Sequence, residues 1–156
     1  MRYKLIIIFL PLILFNCKRD EDKFIGSWNI KTEIPYSAKL NLKKNQTFTY
    51  SGGAFNQPFH SNGNWIVIND TLILKSKIPD ECFFMKKFGY ICYEVKDSLK
   101  IKDQTTIPNC KPKNYDSNFI NIEDTKFIFK NDSLIYLINK FDNCPDIINK
   151  YKISRN

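Results

Sequence analysis

The chain has 156 residues, a length that suits one domain and is too short for two ordinary ones. It is 43% hydrophobic and 15% aromatic, and its net charge at pH 7 is +8. It contains 22 Ile but only two Ala, and branched or flat side chains favour strands over helices. This composition excludes a helical bundle and a wholly disordered chain. The single histidine, His60, excludes a metal site built from several histidines.

The N-terminal segment has the features of a secretory signal. A basic start, with Arg2 and Lys4, precedes an apolar run from Leu5 to Phe15. A helix of this length would rise about 17 Å, well short of the roughly 30 Å hydrocarbon core of a bilayer. We therefore interpret residues 1–16 as a signal peptide. The alternative is a buried N-terminal strand or helix.

The end of this segment resembles a bacterial lipobox. In Leu14-Phe15-Asn16-Cys17 the cysteine would follow the cut, and the resemblance implies that Cys17 carries acyl chains such as palmitate. Residues 17–23 then form a charged tether, which resembles the Lys-then-acidic export signal of Bacteroidota lipoproteins. We expect a lipid-anchored protein of the outer membrane, on its periplasmic or cell-surface face. The alternative for Cys17 is an ordinary disulfide cysteine.

The other cysteines indicate a disulfide framework. An even number in an exported chain predicts two disulfides with three possible pairings, among Cys82, Cys92, Cys110 and Cys144. The pairing adopted as a hypothesis is Cys82–Cys92 with Cys110–Cys144, which would close one short loop and one longer loop. The chain has no C-x-x-C pair and no histidine near these cysteines, so we expect no metal site.

Apolar and polar residues alternate with period two from Phe24 onward, which is typical of antiparallel strands with one buried face. The alternating apolar positions are Trp28/Ile30, Leu40/Leu42, Phe48/Tyr50, Trp65/Val67, Leu72/Leu74, Leu99/Ile101, Ile120/Ile122, Phe127/Phe129, Leu134/Tyr136 and Tyr151/Ile153. No linker divides residues 24–156, so we interpret them as one domain. The pattern predicts an all-β fold, a single antiparallel up-and-down barrel of about eight to ten strands.

Short polar turns join these alternating runs. They lie at Lys44-Asn45, Asn69-Asp70, Lys96-Asp97 and Asn131-Asp132, and Asn and Asp favour tight hairpins because they tolerate a left-handed backbone. Three turn segments also resemble the Asp-Ser/Thr-apolar acceptor of Bacteroidota O-glycosylation, with turn propensity alone as the alternative: Asp70-Thr71-Leu72, Asp97-Ser98-Leu99 and Asp132-Ser133-Leu134. Two longer loops are predicted at 76–89 and 103–118.

The ordered motifs of the first strands resemble the lipocalin-like domains of Bacteroidota lipoproteins. The resemblance lies in Gly26-Ser27-Trp28, Leu40-x-Leu42, Asn45-x-Thr47-Phe48-x-Tyr50, Gly63-Asn64-Trp65 and Asp70-Thr71-Leu72-Ile73-Leu74. It implies a lipocalin-like barrel whose floor is closed by Trp28, with a basic residue from the chain end packed over the indole. Arg155 is the arginine available for that role, and the alternative is that it dangles from a frayed terminus.

Inward-facing aromatic residues are the candidate ligand-binding set. They are Trp28, Phe48, Tyr50, Trp65, Tyr93, Phe127 and Tyr136. These side chains either line an apolar pocket or fill the barrel as a packed core. The unusual segment 83–88, with phenylalanines beside lysines, either forms a partner-binding patch or tucks over one end of the barrel.

No catalytic arrangement is evident in the sequence. His60 lies in a polar, turn-rich loop, and no G-x-S-x-G motif, phosphate loop or dinucleotide fingerprint occurs. The carboxylates Glu81, Glu94 and Glu123 are isolated from one another. We therefore expect no enzymatic activity and no cofactor. Because the lysines are scattered rather than clustered, we also expect no nucleic-acid partner.

The expected function is binding by a monomeric, lipid-anchored barrel. Its ligand would be a small apolar molecule or another component of the cell envelope. The alternative is a protein–protein interaction module, such as an enzyme inhibitor or immunity protein, that acts through its loops.

Overall fold

The computed structural model describes residues 20–31, 36–54, 57–88, 104–113, 118–137 and 152–155. Its strands are β1 (Gly26–Lys31), β2 (Tyr36–Leu42), β3 (Thr47–Ala54), β4 (Gln57–Ile68), β5 (Thr71–Ser76), β6 (Phe84–Lys87), β7 (Gln104–Thr105), β8 (Asn118–Asn121), β9 (Thr125–Lys130), β10 (Ser133–Tyr136) and β11 (Lys152–Arg155). One 3-10 turn, η1 (Asp20–Lys23), precedes them. The signal segment, Cys17, Cys92, Tyr93, Glu94, the Lys96-Asp97 turn and Cys144 lie outside the described residues.

Eight of the strands form a closed barrel. Around the barrel the order is β1-β2-β3-β4-β5-β9-β10-β11, and β11 pairs with β1 to close it. Each of these pairings is antiparallel. The predicted all-β, up-and-down, lipocalin-like barrel is therefore confirmed. Each of the eight strands therefore has a barrel neighbour on both sides, and none is an edge strand.

Two hairpins of the barrel turn where the sequence predicts. Asn69 and Asp70 have φ angles of 48° and 60° and join β4 to β5, while Asn131 and Asp132, at 49° and 51°, join β9 to β10. Positive φ at both central residues matches the right-handed twist of the flanking strands. These turns therefore fix the register of both hairpins, with Ile68 opposite Thr71 and Lys130 opposite Ser133.

Three short strands, β6, β7 and β8, form an extension of the sheet outside the barrel. β4 is long, so its N-terminal half continues beyond β5 and leaves an edge that β8 occupies in parallel orientation, with Phe59 opposite Asn118. β6 pairs in parallel with β8, and β7 pairs antiparallel with β6. The segments predicted as loops at 76–89 and 103–118 thus contain β6 and β7, whereas β8 overlaps the strand predicted at Ile120/Ile122.

The barrel has two different ends. The floor is the end that carries η1 and the turns at Lys44-Asn45, Asn69-Asp70 and Asn131-Asp132. The mouth is the opposite end, where the extension joins β4. Part of the charged tether is folded at the floor: Lys23 in η1 forms an ion pair with Asp70 at 2.5 Å.

The core fills the barrel between these ends. The largest fully buried side chains are Trp28, Trp65, Phe24, Phe48, Phe119, Phe127, Leu40, Leu72, Leu74, Ile122, Leu134 and Ile153. Most of them occupy every second position of a strand, as the period-two pattern predicts.

Candidate functional site

The floor of the barrel is built around Trp28. Its indole N–H donates a 2.8 Å hydrogen bond to the carbonyl of Phe24. The guanidinium of Arg155 lies 4.8 Å from the centre of the indole ring, which confirms the expected packing of the chain end over this tryptophan. Phe129 contacts the same indole edge-on at 6.1 Å between ring centres. Trp28 therefore closes the floor and presents no free surface to a ligand.

Trp65 also has a structural position near the floor. Its indole N–H is shared between the carbonyls of Lys43 and Thr47, at 3.1 Å each, on either side of the turn between β2 and β3. Phe48 is buried in the same half of the barrel, opposite Gly63 of β4. Three of the candidate ligand-binding residues, Trp28, Phe48 and Trp65, thus belong to the floor half of the core.

The mouth holds a second aromatic group, which we call the mouth cluster: Tyr50, Phe59, Phe88, Phe127 and Tyr136. Phe88 lies at its centre, 5.5 Å from Tyr50, 6.0 Å from Phe127 and 5.7 Å from Tyr136 between ring centres. The contacts of Phe88 are all edge-on, the favourable geometry for aromatic pairs. The structure therefore brings the candidates Tyr50, Phe127 and Tyr136 together, and Tyr93 lies outside the described residues.

The extension places Phe88 over the mouth. Phe88 follows β6, and its backbone N–H donates a 3.0 Å hydrogen bond to the carbonyl of Asn121 at the end of β8. The side chain is half-buried against the barrel core. Of the two interpretations of segment 83–88, packing over one end of the barrel therefore holds for Phe88.

A hydroxyl network fixes β8 to the barrel. Ser76 Oγ lies 2.7 Å from Ser61 Oγ and accepts a 2.9 Å hydrogen bond from the backbone N–H of Ile122. The backbone N–H of Ser76 in turn donates to the carbonyl of Ile122 at 2.7 Å. Opposite Ser76 stands Gly63, where a Cβ atom would collide with the carbonyl of Lys75, so the close approach of β5 requires glycine.

A cleft of about 390 Å³ opens beside the mouth cluster. Phe88 and Tyr136 form its apolar part. The greater part of its lining is polar and consists of Lys87, Asn121, Glu123, Asp124, Thr125 and Lys126. An apolar surface beside charged groups of both signs can hold the body of a small apolar molecule while its polar end stays near water.

Phe59, Phe88, Ser61 and Ser76 were not among the candidate site residues from the sequence. Ser61 lies an even number of residues from the inward-facing Trp65 in β4, and Ser76 lies an even number from the inward-facing Leu74 in β5. Both serines therefore occupy inward positions, and a polar residue at an inward position is the feature of the sequence that could have identified them. Phe88 carried no such signal, because its burial depends on where the extension packs.

Among the described residues a disulfide joins Cys82 to Cys110, so both bonds of the pairing adopted from the sequence, Cys82–Cys92 and Cys110–Cys144, are wrong. The cause is the pairing of β6 with β7, which sets Phe84 opposite Thr105. Phe83 and Thr106 continue this contact: the Phe83 N–H donates to the hydroxyl of Thr106, and the Thr106 N–H donates to the Phe83 carbonyl, both at 3.0 Å. The two cysteines therefore meet across neighbouring strands, although they are 28 residues apart.

His60 lies on the outer side of β4, within a small aromatic group that the extension covers. Its ring is 4.7 Å from that of Phe83 and 5.8 Å from that of Phe119, edge-on to both. Among the described residues, no group of three or more His, Cys, Asp or Glu side chains is arranged to hold a metal ion. The same part of the chain contains no helix long and apolar enough to cross a membrane.

The structure differs from the glycosylation hypothesis at one of its sites. Ser133 is only 2% exposed, and its hydroxyl donates a 3.2 Å hydrogen bond to the carbonyl of Asn131. The hydroxyl is therefore directed into its own turn rather than into solvent. Thr71 is half-buried and makes the equivalent contact with Asn69 at 3.4 Å. At position 133 the preference of serine for tight turns, rather than glycosylation, therefore explains the residue.

The fold defines an all-β protein with a closed antiparallel barrel of eight strands. Comparison of the chain with protein-family models, curated proteins and solved structures finds no match, so no family is assigned by similarity.

Proposed function

We propose that this chain is a lipid-anchored, outer-membrane lipoprotein of the lipocalin-like type, and that its barrel binds a small apolar molecule without catalysing a reaction. The binding site is the cleft beside the mouth cluster. Acyl chains on Cys17 hold the protein to the membrane, and the floor of the barrel faces the tether.

The observation that supports this proposal is the position of Phe88 and Tyr136 on one wall of the cleft. Ligand pockets typically measure roughly 300–1,000 Å³ and are lined mainly by apolar side chains, with a few polar groups that orient the ligand. The cleft has about 390 Å³, and its lining is mainly polar, with Lys87, Lys126, Glu123 and Asp124 among the residues around it. A small amphipathic molecule, with an apolar body and a polar end, fits this lining.

A substitution that fills the cleft tests the site. Phe88→Trp enlarges a side chain on the cleft wall, so binding of the fluorescent probe 1-anilinonaphthalene-8-sulfonate should weaken about tenfold, in line with the cost of overpacking. Phe83→Trp is the matched control, because Phe83 belongs to the same extension but contacts His60 on its outer side. Equal probe affinity in both variants would exclude the cleft as the binding site.

The second candidate function is a protein–protein interaction module, and the stapled extension favours it. The Cys82–Cys110 bond and the pairing of β6 with β7 hold a small sheet outside the barrel, where Ile78 and Ile107 are 41% and 37% exposed. Native mass spectrometry of protein purified from its own host separates the two functions. A retained small molecule supports the ligand-binding barrel, and a co-purifying protein supports the interaction module.

The lipid anchor has its own test. Wild-type protein from its host should have an intact mass equal to the chain from Cys17 plus acyl groups, and it should float with outer-membrane fractions. Cys17→Ser should lose both properties. Replacement of residues 18–22 by Ala should leave acylation intact and reduce only exposure at the cell surface, as measured by protease treatment of whole cells. Acyl chains on the Cys17→Ser protein would refute the lipoprotein assignment.

A further inference from the structure

The outside of the barrel has two chemically different walls. The isoleucine wall is the outer face of β4, β5, β9 and β10, and it carries Ile66, Ile68, Ile73, Ile128 and Ile135. The polar wall is the outer face of β1, β2 and β3, and its outward side chains are Asn29, Ser37, Lys39, Asn41, Thr47, Thr49 and Ser51. The isoleucine wall therefore presents aliphatic side chains. The outward residues named for the polar wall include no aliphatic side chain.

The isoleucines form a continuous surface because of the strand register. Ile66 stands directly opposite Ile73, and Ile128 stands directly opposite Ile135. Thr71 is the partner of Ile128, which places Ile128 diagonally beside Ile73. Ile66 and Ile68 are 46% and 50% exposed. Contiguous exposed apolar surface marks a contact site, whereas isolated apolar residues need no explanation.

The charges on this wall have one sign. Lys75, Lys126 and Lys130 are exposed on the same outer face, and none of the four strands contains Asp or Glu. The nearest carboxylates lie in the turns, and one of them, Asp70, is paired with Lys23. The wall therefore complements a surface that is negatively charged and has an apolar layer just beneath its charged groups.

The described chain begins at the floor, between the edges of the two walls. In η1, which starts at Asp20, Lys23 pairs with Asp70 in the turn between β4 and β5, and Glu21 accepts a 3.5 Å hydrogen bond from the side-chain amide of Gln46 in the turn between β2 and β3. Cys17 precedes Asp20 by three residues, which span at most about 11 Å even when fully extended. Acyl chains on Cys17 would therefore enter a membrane close to the floor, within reach of the floor edge of the isoleucine wall.

We infer that the isoleucine wall lies against the surface of a bilayer that contains anionic phospholipid. This inference rests on the proposed lipid anchor for its geometry. The isoleucines insert at the level of the headgroups, and the lysines pair with lipid phosphates, as in other interfacial binding surfaces. A second copy of the chain is a poorer occupant, because a two-fold contact would set these lysines against their own equivalents with no carboxylate between them.

Vesicle binding by lipid-free protein tests the wall separately from the anchor. The mature chain, residues 17–156 with Cys17→Ser, should sediment with vesicles of equal parts phosphatidylglycerol and phosphatidylethanolamine, and much less with vesicles of phosphatidylcholine. The anionic binding should weaken as salt increases. The lysine triple variant Lys75→Gln, Lys126→Gln and Lys130→Gln should lower partitioning on the order of a hundredfold.

Matched controls keep net charge and fold constant. The control variant combines Lys39→Gln, Lys111→Gln and Lys113→Gln. It loses the same net charge as the lysine triple variant, but from the polar wall and the segment after β7, so it should bind the vesicles nearly as the parent does. Ile66→Thr with Ile68→Thr should weaken binding roughly tenfold or more, because half-exposed isoleucines lose their insertion while a β-branched residue preserves the strand. Unchanged melting temperatures would show that both sets of variants fold.

Three results would overturn the inference. The first is equal loss of binding in the two lysine triple variants, which would indicate a response to net charge alone. The second is an Ile68→Trp fluorescence that does not shift to the blue on anionic vesicles. The third is a dimer of the parent in sedimentation velocity that Ile66→Thr with Ile68→Thr converts to monomer. Because this protein carries no acyl group, none of these results bears on whether Cys17 is lipidated.

Discussion

The guanidinium of Arg155 packs against the indole of Trp28, 4.8 Å from the ring centre, and donates a 2.6 Å hydrogen bond to the carbonyl of Lys23. Trp28 and Arg155 are also register partners where β1 meets β11. One side chain thus connects the last strand, the first strand and η1, and it does so at the seam that closes the barrel.

Arg155→Ala should therefore destabilise the barrel by about 1–2 kcal/mol. The loss combines a partly exposed cation–π contact with a charge-assisted hydrogen bond. Arg155→Lys should restore part of the loss, because an ammonium can still lie over the indole but cannot donate in the same fork geometry. Urea denaturation measures both effects, with the exposed Lys113→Ala as control. Ordinary surface substitutions change the free energy of unfolding by a few tenths of a kcal/mol. A change this small for Arg155→Ala would contradict a role of Arg155 in closing the barrel.

Asp70 contributes to stability through its backbone conformation more than through its ion pair. Its φ is 60°, and its side chain is 76% exposed where it meets Lys23. Exposed ion pairs contribute about 0–1 kcal/mol, while a left-handed backbone at a residue such as Ala costs about 1–2 kcal/mol. Asp70→Asn and Asp70→Gly should thus stay close to wild type, and Asp70→Ala should lose about 1 kcal/mol. Equal losses in all three variants would assign the effect to the ion pair instead.

Ser76 should control whether the extension stays attached to the barrel. Its hydroxyl joins Ser61 of β4 to the backbone of Ile122, which follows β8. Ser76→Ala leaves a partly buried N–H without its acceptor, a loss of about 1–3 kcal/mol. Hydrogen exchange should accelerate in β8 before it does in β1 and β2. Ser61→Ala is the control, because it removes one member of the network and leaves the Ser76–Ile122 bond in place, so its effect should be smaller.

The barrel could be predicted from the sequence because its signals are local. Period-two alternation and the Asn-Asp turns specify strands and hairpins without knowledge of distant contacts, and the register at Asn69-Asp70 and Asn131-Asp132 follows from the turns themselves. The contact of Arg155 with Trp28 joins residues that are far apart in the sequence. It could be predicted only from the resemblance to lipocalin-like domains.

The extension could not be predicted, because its signals depend on tertiary contacts. Asn118, Phe119 and Ile120 of β8 are all buried, so the alternation at Ile120 and Ile122 indicated a strand but not its place outside the barrel. β6 and β7 are four and two residues long, too short for a periodic pattern. The Cys82–Cys92 hypothesis failed because strand pairing, rather than closeness in sequence, brings these cysteines together. The same limit applies to Phe88, whose place in the mouth cluster depends on the extension.

The Cys82–Cys110 bond should stabilise the extension rather than the barrel. Both cysteines lie beside the β6–β7 pair, and these are the strands between them in the part of the chain that the structure describes. A disulfide that closes a loop of this size contributes about 3–4 kcal/mol in the chain-entropy account. Cys82→Ala with Cys110→Ala should therefore increase hydrogen exchange strongly in β6 and β8 and only slightly in β1 to β5. A uniform increase across the barrel would show instead that the bond supports the whole fold.

Peptide mapping without reductant then determines the rest of the framework. Of the three pairings that four cysteines allow, Cys82–Cys110 leaves Cys92 with Cys144, and this second bond is our prediction for an exported chain. A digest should yield one linked peptide for each pair, and alkylation without reductant should label none of the four thiols. In the Cys82→Ala and Cys110→Ala protein, the Cys92–Cys144 peptide should persist, since the two bonds form independently. Alkylated Cys92 in the unreduced wild-type protein would refute the second bond and leave Cys82–Cys110 unaffected.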